Sequence, residues 1–503
     1  MKVFATRQDT RTYAVGVSGR RLFAASAVIA AGLVLGPAVA VTGTNGMLQV
    51  LMLGGVAAAF AGAAAIYLFD VEPIALVRAA FIASFFFKGD LTLLKIDEIE
   101  DPSGFNLSLT LIAAIALIAY DHLWDARERP GLPRVMSLLF AALFVCAAAS
   151  VAVGGMTSLG ASSLWSFGSS LVIAYAVVSH FGNRDRIGGL IVGVALGMLF
   201  TGATALSQYV FEFPTDLPDF GTGTEEELLG TQAQLFSRVP AFMRTPNEMA
   251  WVVSTLLPLA LALIVCRVRE LSPVFRTVLV AATGAGSLAV LLSLARGSWI
   301  ALLAGFGLIA AFGWLRLSAD ERRSYLLTVA GAFVLVSALV APFADRIYDR
   351  LTEDDQGAAA IRVPLMQNAV RTIGDNPVTG VGLNAYRANM ARYDETDVFV
   401  SQVFPQPVHN VFAHVTAEVG IPGGIVFALL FIAALAEGVA AMITGDRLLF
   451  ALGLGTSVAL VAFAISGMKE PGSLGSVRPP MRTLFLLLGI VMAMASLRKE
   501  VRA

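Results

Sequence analysis

Apolar runs about as long as a membrane is thick recur through this chain with only short polar joints between them, and that pattern leaves few folds open. A spanning helix needs roughly 20 mostly apolar residues. In lipid every backbone N–H and C=O must be satisfied within the segment, so helices are the form such runs take. About 14 runs can be counted, at residues 22–41, 47–69, 74–87, 107–120, 135–153, 164–181, 187–210, 248–266, 278–294, 298–315, 325–343, 410–443, 448–466 and 483–496. Two of them, 74–87 and 107–120, are short for spans. The expectation is therefore an all-α polytopic membrane protein with about 12 to 14 transmembrane helices. Composition agrees, with 57% hydrophobic and 14% charged residues and a mean hydropathy of +0.76. The two cysteines, Cys146 and Cys266, fall in or at the end of apolar runs and read as small hydrophobes, which excludes a disulfide framework or a cysteine metal site.

Charge placement sets the expected orientation, because short cytoplasmic joints collect Lys and Arg. The first 21 residues carry Lys2, Arg7, Arg11, Arg20 and Arg21 against Asp9 and lead into a long run, which reads as an inside-facing anchor rather than a cleaved signal. Arg127, Arg129 and Arg134, Arg184 and Arg186, Arg267, Arg269 and Arg276, Arg316, Arg322 and Arg323, and Arg498, Lys499 and Arg502 mark further inside joints. The alternate joints are neutral or acidic, including 88–106 with Asp97, Glu98, Glu100 and Asp101. Both termini then face the cytoplasm. The two long polar segments, 211–247 with Glu225, Glu226 and Glu227, and 344–408, face outward; the acidic triplet reads as a solvated loop.

The segment 344–408 divides the chain into 1–343, a large outer loop, and 409–503. At roughly 65 residues it far exceeds ordinary connections, and such loops are usually functional when they are not disordered. Its cations are all arginine: Arg346, Arg350, Arg362, Arg371, Arg387 and Arg392. The guanidinium fork suits phosphate. Residues 361–373 show helical spacing after Pro364, and Asp375-Asn376-Pro377 and Gly380-Val381-Gly382 read as turns. Arg296, in the few residues between two spans, is either a snorkelling turn residue or an anion contact helped by Gly297 and the following helix N-terminus.

His409 follows Pro405 and Pro407 and is expected in the first turn of an outer helix, where the macrodipole disfavours imidazolium. A neutral ring there suits a general base as well as it suits a structural histidine. His414 reads as packing, and His122 and His180 as incidental residues at helix ends. Glu418-Val419-Gly420-Ile421-Pro422-Gly423-Gly424 should break the helix, which is tolerated at membrane depth only where it is buried in protein or lines a cavity.

Three elements together resemble the bacterial O-antigen ligase and polymerase family: Leu292-Ser293-Leu294-Ala295-Arg296-Gly297-Ser298-Trp299, the stretch from Arg362 to Asn376-Pro377-Val378-Thr379-Gly380-Val381-Gly382, and His409-Asn410 through Glu418-Val419-Gly420-Ile421-Pro422-Gly423. Thr245-Pro246-Asn247-Glu248 looks like the Pro-Asn element of that family, so the likeness runs over 244–424. The resemblance implies a GT-C-like, inverting, metal-independent glycosyltransferase of the bacterial inner membrane, without cofactor. It would work on the periplasmic side, with a glycan on undecaprenyl diphosphate as donor and lipid A-core or another glycan as acceptor. The lipid bilayer is then its surroundings, and nucleic acid is no partner. By the same resemblance Arg296 and Arg362 bind the diphosphate and His409 activates the acceptor hydroxyl, with Arg244, Asn247, Arg371, Asn410 and Glu418 in support. Arg371 and Arg350 are the other loop arginines able to fill the role of Arg362.

A ligase, which moves a finished glycan to lipid A-core, is favoured over an O-antigen or exopolysaccharide polymerase, which shares the donor chemistry. A transporter or lipid flippase is the alternative from another class. Against it, charges are scarce within the spans, Arg78 and Glu437 being the main exceptions, and the halves show no visible repeat.

Overall fold

The computed structural model describes residues 73–211 apart from joints at 89, 97–102, 124–130 and 155–156; 238–323 apart from 269–270 and 320; 325–326, 330 and 341–352; and 360–502 apart from 477. The runs 22–41 and 47–69, most of 325–343 and the acidic triplet at 225–227 lie outside the described residues.

Each apolar run that falls on described residues is helical over most of its length. The helices are α1 Pro73–Ala83, α2 Leu109–Leu123, α3 Arg134–Val153, α4 Thr157–Phe181, α5 Ile187–Phe211, α6 Pro246–Val265, α7 Pro273–Leu292 and α8 Arg296–Arg316. After them come α9 Ala344–Thr352, α10 Arg362–Asp375, α11 Val411–Met442, α12 Arg447–Gly467 and α13 Pro479–Arg502. Among the described residues nine helices are long and apolar enough to cross a membrane, while α1 and α2 are the shorter pair. The spans differ in how deeply they sit. The apolar window of α13 is 100% buried within the protein and that of α6 83%, whereas that of α3 is 28% buried. The first two form the centre, and α3 lies at the periphery of the described bundle.

Among the described residues, one element departs from an all-α fold. Strands β1 Asp90–Ile96 and β2 Ser103–Ser108 pair antiparallel, Asp90 opposite Ser108 and Ile96 opposite Ser103, with an irregularity between Thr92 and Leu94. The sequence reading took 88–106 as a polar joint and started the next run at 107. In fact Leu107 and Ser108 still belong to β2, and α2 starts at Leu109. The alternation Gly104-Phe105-Asn106-Leu107-Ser108 is the strand pattern that the net acidity of the joint obscured. Two contacts hold the hairpin down: Arg482 Nη2 donates to Asp90 Oδ1 at 2.6 Å, and Trp165 Nε1 donates to the Asn106 carbonyl at 2.8 Å.

Alternation of the spans gathers 238–248, the α7–α8 turn, 341–352, 360–410, 468–476 and 478 at one end of the bundle. The opposite end carries the arginine-rich joints, tied by Arg184 to Asp446 at 2.9 Å and Arg447 to Glu321 at 2.7 Å. His180, which the sequence suggested was incidental, is fully buried there. Its Nδ1 faces Asp121 at 3.0 Å, Arg78 Nε donates to its Nε2, and Arg186 reaches the same aspartate at 3.1 Å.

Residues 360–408 of the polar segment fold as a cap with its own small core. Leu365, Ala369, Val381, Tyr386, Met390, Val400 and Val408 pack together with Ala417 of α11, so the cap is fused to a span rather than hung from it. Inside it, the Tyr386 hydroxyl donates to Asn368 Oδ1 at 2.8 Å and Asn368 Nδ2 donates to the Met390 carbonyl at 2.9 Å.

The break in α11 is where cap and span lock. Gly420 has φ +75 and ψ 174, and the freed backbone groups are taken up by the cap. Val381 N–H donates to the Ala417 carbonyl at 3.0 Å, Gly382 N–H to the Glu418 carbonyl at 3.2 Å and Ile421 N–H to the Pro377 carbonyl at 2.8 Å. The Ser150 hydroxyl of α3 also donates to the Glu418 carbonyl, at 2.6 Å. This satisfies the condition that a broken helix at this depth be buried in protein.

Candidate functional site

Arg296 is the first residue of α8, and the turn before it is held rigidly. Leu294 takes a left-handed conformation, φ +53. Ser293 Oγ donates to the Val290 carbonyl at 2.6 Å and accepts from Ala295 N–H at 3.2 Å, while Trp299 Nε1 donates to the same Val290 carbonyl at 3.0 Å. The Ser293 carbonyl accepts from Arg238 Nε at 2.9 Å, which draws a second arginine onto the turn. Arg362 starts α10 and is exposed at the rim of the cap.

Between them stands a residue that the sequence reading passed over. Lys469, in the 468–478 joint, runs its stem along Gly297, where a Cβ would come within 2.9 Å of Lys469 Cδ. Burial lowers its ammonium from the ordinary lysine value, and the charges of Arg362 and Arg296 lower it further. Three cations from α8, the cap and the last outer joint thus share one small region. Its neighbour Glu470 has its carboxyl pushed up to about 7 by burial, against the opposing pull of Arg362 and Arg478. Asn247, at the head of α6, donates to Glu470 Oε1 at 2.9 Å and accepts from Arg238.

His409 lies on the other side of Arg362. The sequence placed it in the first turn of a helix; α11 instead starts at Val411, with Asn410 as its N-cap and His409 one residue before that. Asn410 Oδ1 accepts from Phe412 and Ala413 N–H at 3.0 and 3.1 Å, which makes this residue a structural cap and ends the helix before the histidine. Burial lowers His409 to about 4, helped by the positive charge of Arg362 and by His414 and Arg478. The ring is neutral near pH 7, and its buried Nδ1 has no hydrogen-bond partner among the described residues. The Phe404 ring stands edge-on to it, centroids 5.9 Å apart.

Beneath it, His414 is more than packing. Its Nδ1 accepts from Gly472 N–H at 3.1 Å, which puts the ring proton on Nε2, 3.1 Å from Glu418 Oε1. Glu418 Oε2 accepts from the Ser473 hydroxyl. Glu418 therefore joins α11 to the 468–478 joint.

Two open cavities adjoin the cluster and share Asn384, Ser476 and Arg478. One is lined by Lys88, Asp90, Asn106, Arg244, Glu248 and Arg478 among others. The second is lined by Arg387, Pro407, His414, Glu418, Ser473 and Arg478 among others. Of the residues picked from sequence, Arg296, Arg362 and His409 converge, Asn247 joins them through Glu470, and Arg244 and Glu418 line the flanking cavities. Arg371 does not join: it is exposed at the far end of α10 and pairs with Glu395, with Asp375 at 3.9 Å. The side chains of Arg346 and Arg350 lie outside the described residues.

Sequence reasoning missed Arg238, Lys469, Glu470 and Arg478. The Lys469-Glu470-Pro471-Gly472 stretch was legible as a charged outer joint, a signal left unused because the joint is short.

A bundle of long apolar helices with a cluster of cations and a neutral histidine at one end is the build of a polytopic membrane protein. Residues 278–428 match the family model of the O-antigen ligase, as the motif order led one to expect. That stretch holds Arg296, Arg362 and His409, whereas Arg238, Lys469, Glu470 and Arg478 lie outside it. That match covers less than a third of the chain and is a likeness to the O-antigen ligase family. No curated protein matches the chain.

Proposed function

We propose that this protein is a glycosyltransferase that moves a glycan from an undecaprenyl diphosphate carrier to an acceptor hydroxyl, acting as an O-antigen ligase with lipid A-core as the acceptor. The observation that carries the reading is the gathering of Arg296, Arg362 and Lys469 beside a neutral His409. The arginine-rich joints at the opposite end support a periplasmic position for this face and a cytoplasmic one for both termini. Residues 344–408 are then a periplasmic cap between the membrane parts 1–343 and 409–503.

The chemistry follows from the charges. The acceptor oxygen attacks the anomeric carbon while the bond from that carbon to the phosphate oxygen breaks, and the diphosphate leaves with the electron pair. Fixed cations stabilise the charge that grows on it without reorganising, so the protein's own arginines serve where a metal ion otherwise could. His409, neutral near pH 7, is the base that takes the acceptor proton. Attack from the face opposite the departing diphosphate inverts the anomeric centre.

The test is the fate of the glycan in a deletion strain, with lipid A-linked and undecaprenyl-linked chains separated on gels and by mass spectrometry. Long chains stranded on the carrier above bare lipid A-core support the ligase. Single repeat units on the acceptor, or loss of a secreted polymer with lipid A-core unaffected, make it a polymerase. Unchanged pools remove the glycosyltransferase reading.

A further inference from the structure

The cavity between the hairpin and the head of α6 contains two carboxylates that are paired on one oxygen and unsatisfied on the other. Asp90 Oδ1 accepts from Arg482, and Glu248 Oε1 lies 3.8 Å from Arg478 Nε. Asp90 Oδ2 and Glu248 Oε2 are both buried and have no hydrogen-bond partner among the described residues. Their side chains are only 8% and 9% exposed, and both residues line the same cavity. A buried acceptor left unmatched is costly, more so when it is charged. Two such acceptors around one open space call for a ligand that brings hydroxyl donors.

The rest of the lining fits a polyhydroxylated ligand. Asn106, Ser162, Ser166, Asn384 and Ser476 add neutral hydrogen-bonding groups, and with Lys88, Arg244 and Arg478 beside the two acids the space is poorly suited to a divalent cation. Its position matters as much. Glu248 follows Asn247, which bonds Glu470 beside the cation cluster, whereas the other cavity is lined by Pro407 and His414 on the His409 side.

We infer that this cavity holds the first sugar of the donor glycan, with Asp90 Oδ2 and Glu248 Oε2 accepting its hydroxyls. The assignment rests on the proposed lipid-linked donor. It makes the hairpin, which no motif marks, a determinant of which glycan is transferred. The other cavity is left for the acceptor.

Equilibrium binding to the full-length protein in nanodiscs tests it, with bare undecaprenyl diphosphate and the lipid-linked oligosaccharide extracted from the host's membranes as the two probes. The wild type should bind the glycosylated lipid roughly tenfold tighter or more, the worth of one or two charge-assisted hydrogen bonds. Glu248→Gln, which turns an acceptor into a donor, should cut that preference, read as the ratio of the two lipids' affinities in the same protein. Ser166→Leu fills the space without touching either acid and should do the same, so misfolding of one variant leaves the other to decide. Equal binding of both lipids by the wild type, or full preference retained in both variants, overturns the assignment while leaving the diphosphate reading intact. If neither lipid binds, the donor reading itself fails and the subsite with it.

Discussion

Gly380 packs its α carbon against the Glu418 carbonyl so closely that a Cβ there would lie 2.3 Å from the oxygen. Its φ of +66 is also one that side chains rarely adopt. Across the same contact, a Cβ at Gly420 would meet the Val378 carbonyl at 2.3 Å. The two glycines let the cap dock on the broken helix, and the docked cap places Arg362 beside His409. Gly380→Ala should therefore destabilise the protein by about 1–3 kcal/mol through backbone strain and steric displacement. Thermal unfolding in detergent checks this, and an unchanged midpoint would mean that the clasp yields easily.

His409→Gln should lower kcat about 100- to 10,000-fold, the usual worth of a positioned acid or base, with a smaller effect on the donor's KM. The acid limb of the pH profile is the sharper check. An ordinary histidine is protonated below about 6.5, but His409 is held down to about 4 by burial and Arg362. Activity should persist as pH falls through 6 and fail only near 4. Between those values the unfolded chain binds the proton that folded His409 refuses, so its contribution to stability declines as pH drops from 6.5 toward 4. Single-turnover rates across pH 4–7 measure the limb; one centred near 6.5 counts against His409 as the buried base.

How much of this was legible in the chain depends on whether the information is local. The helical runs that fall on described residues, the break at Gly420 and the turn at Gly380-Val381-Gly382 are written in short patterns, and they stand within a few residues of where the sequence put them. The partner of each was not readable. Nothing in the spacing says that Gly382 N–H meets the Glu418 carbonyl, or that Lys469 lies on Gly297. Those contacts join segments far apart in sequence, and an apolar run seen alone does not reveal its neighbours. His414 was misread for the same reason, since its partner Gly472 comes from the joint after the next span. Arg371 shows the converse: a loop arginine of suitable type, whose place on α10 turns it toward Glu395 instead of the cluster.

That contrast gives a paired prediction. Arg362→Ala and Arg296→Ala should each reduce transfer by about 100-fold or more, as loss of a fixed cation facing the leaving group does. Arg371→Ala, which gives up an exposed ion pair worth about 0–1 kcal/mol, should leave activity within roughly twofold of wild type. Glycan transfer measured on all three, after checking insertion by detergent-solubilised yield, decides it. Equal losses for all three would mean that the cap arginines act through folding rather than through the leaving group.

Glu470 makes the cluster's charge pH-dependent. With its carboxyl pushed up to about 7 by burial, it is neutral below that pH and anionic above it, where it offsets part of the positive charge of Arg362, Arg478 and Arg238. Diphosphate affinity should fall as pH rises through about 7. Stability should fall over a wider window: the folded carboxyl keeps a proton that the unfolded chain gives up from about 4.5 onward, so this contribution is lost as pH climbs from 4.5 through 7. Glu470→Gln keeps the acceptor that Asn247 Nδ2 uses and removes the titration, so its affinity for undecaprenyl diphosphate should be flat from pH 6 to 8 and match the wild type at the acid end. Binding titrations on both proteins over that range separate the outcomes. If the wild type is already flat, Glu470 is not titrating there; if the variant keeps the slope, another group, or the phosphate itself, is responsible for it.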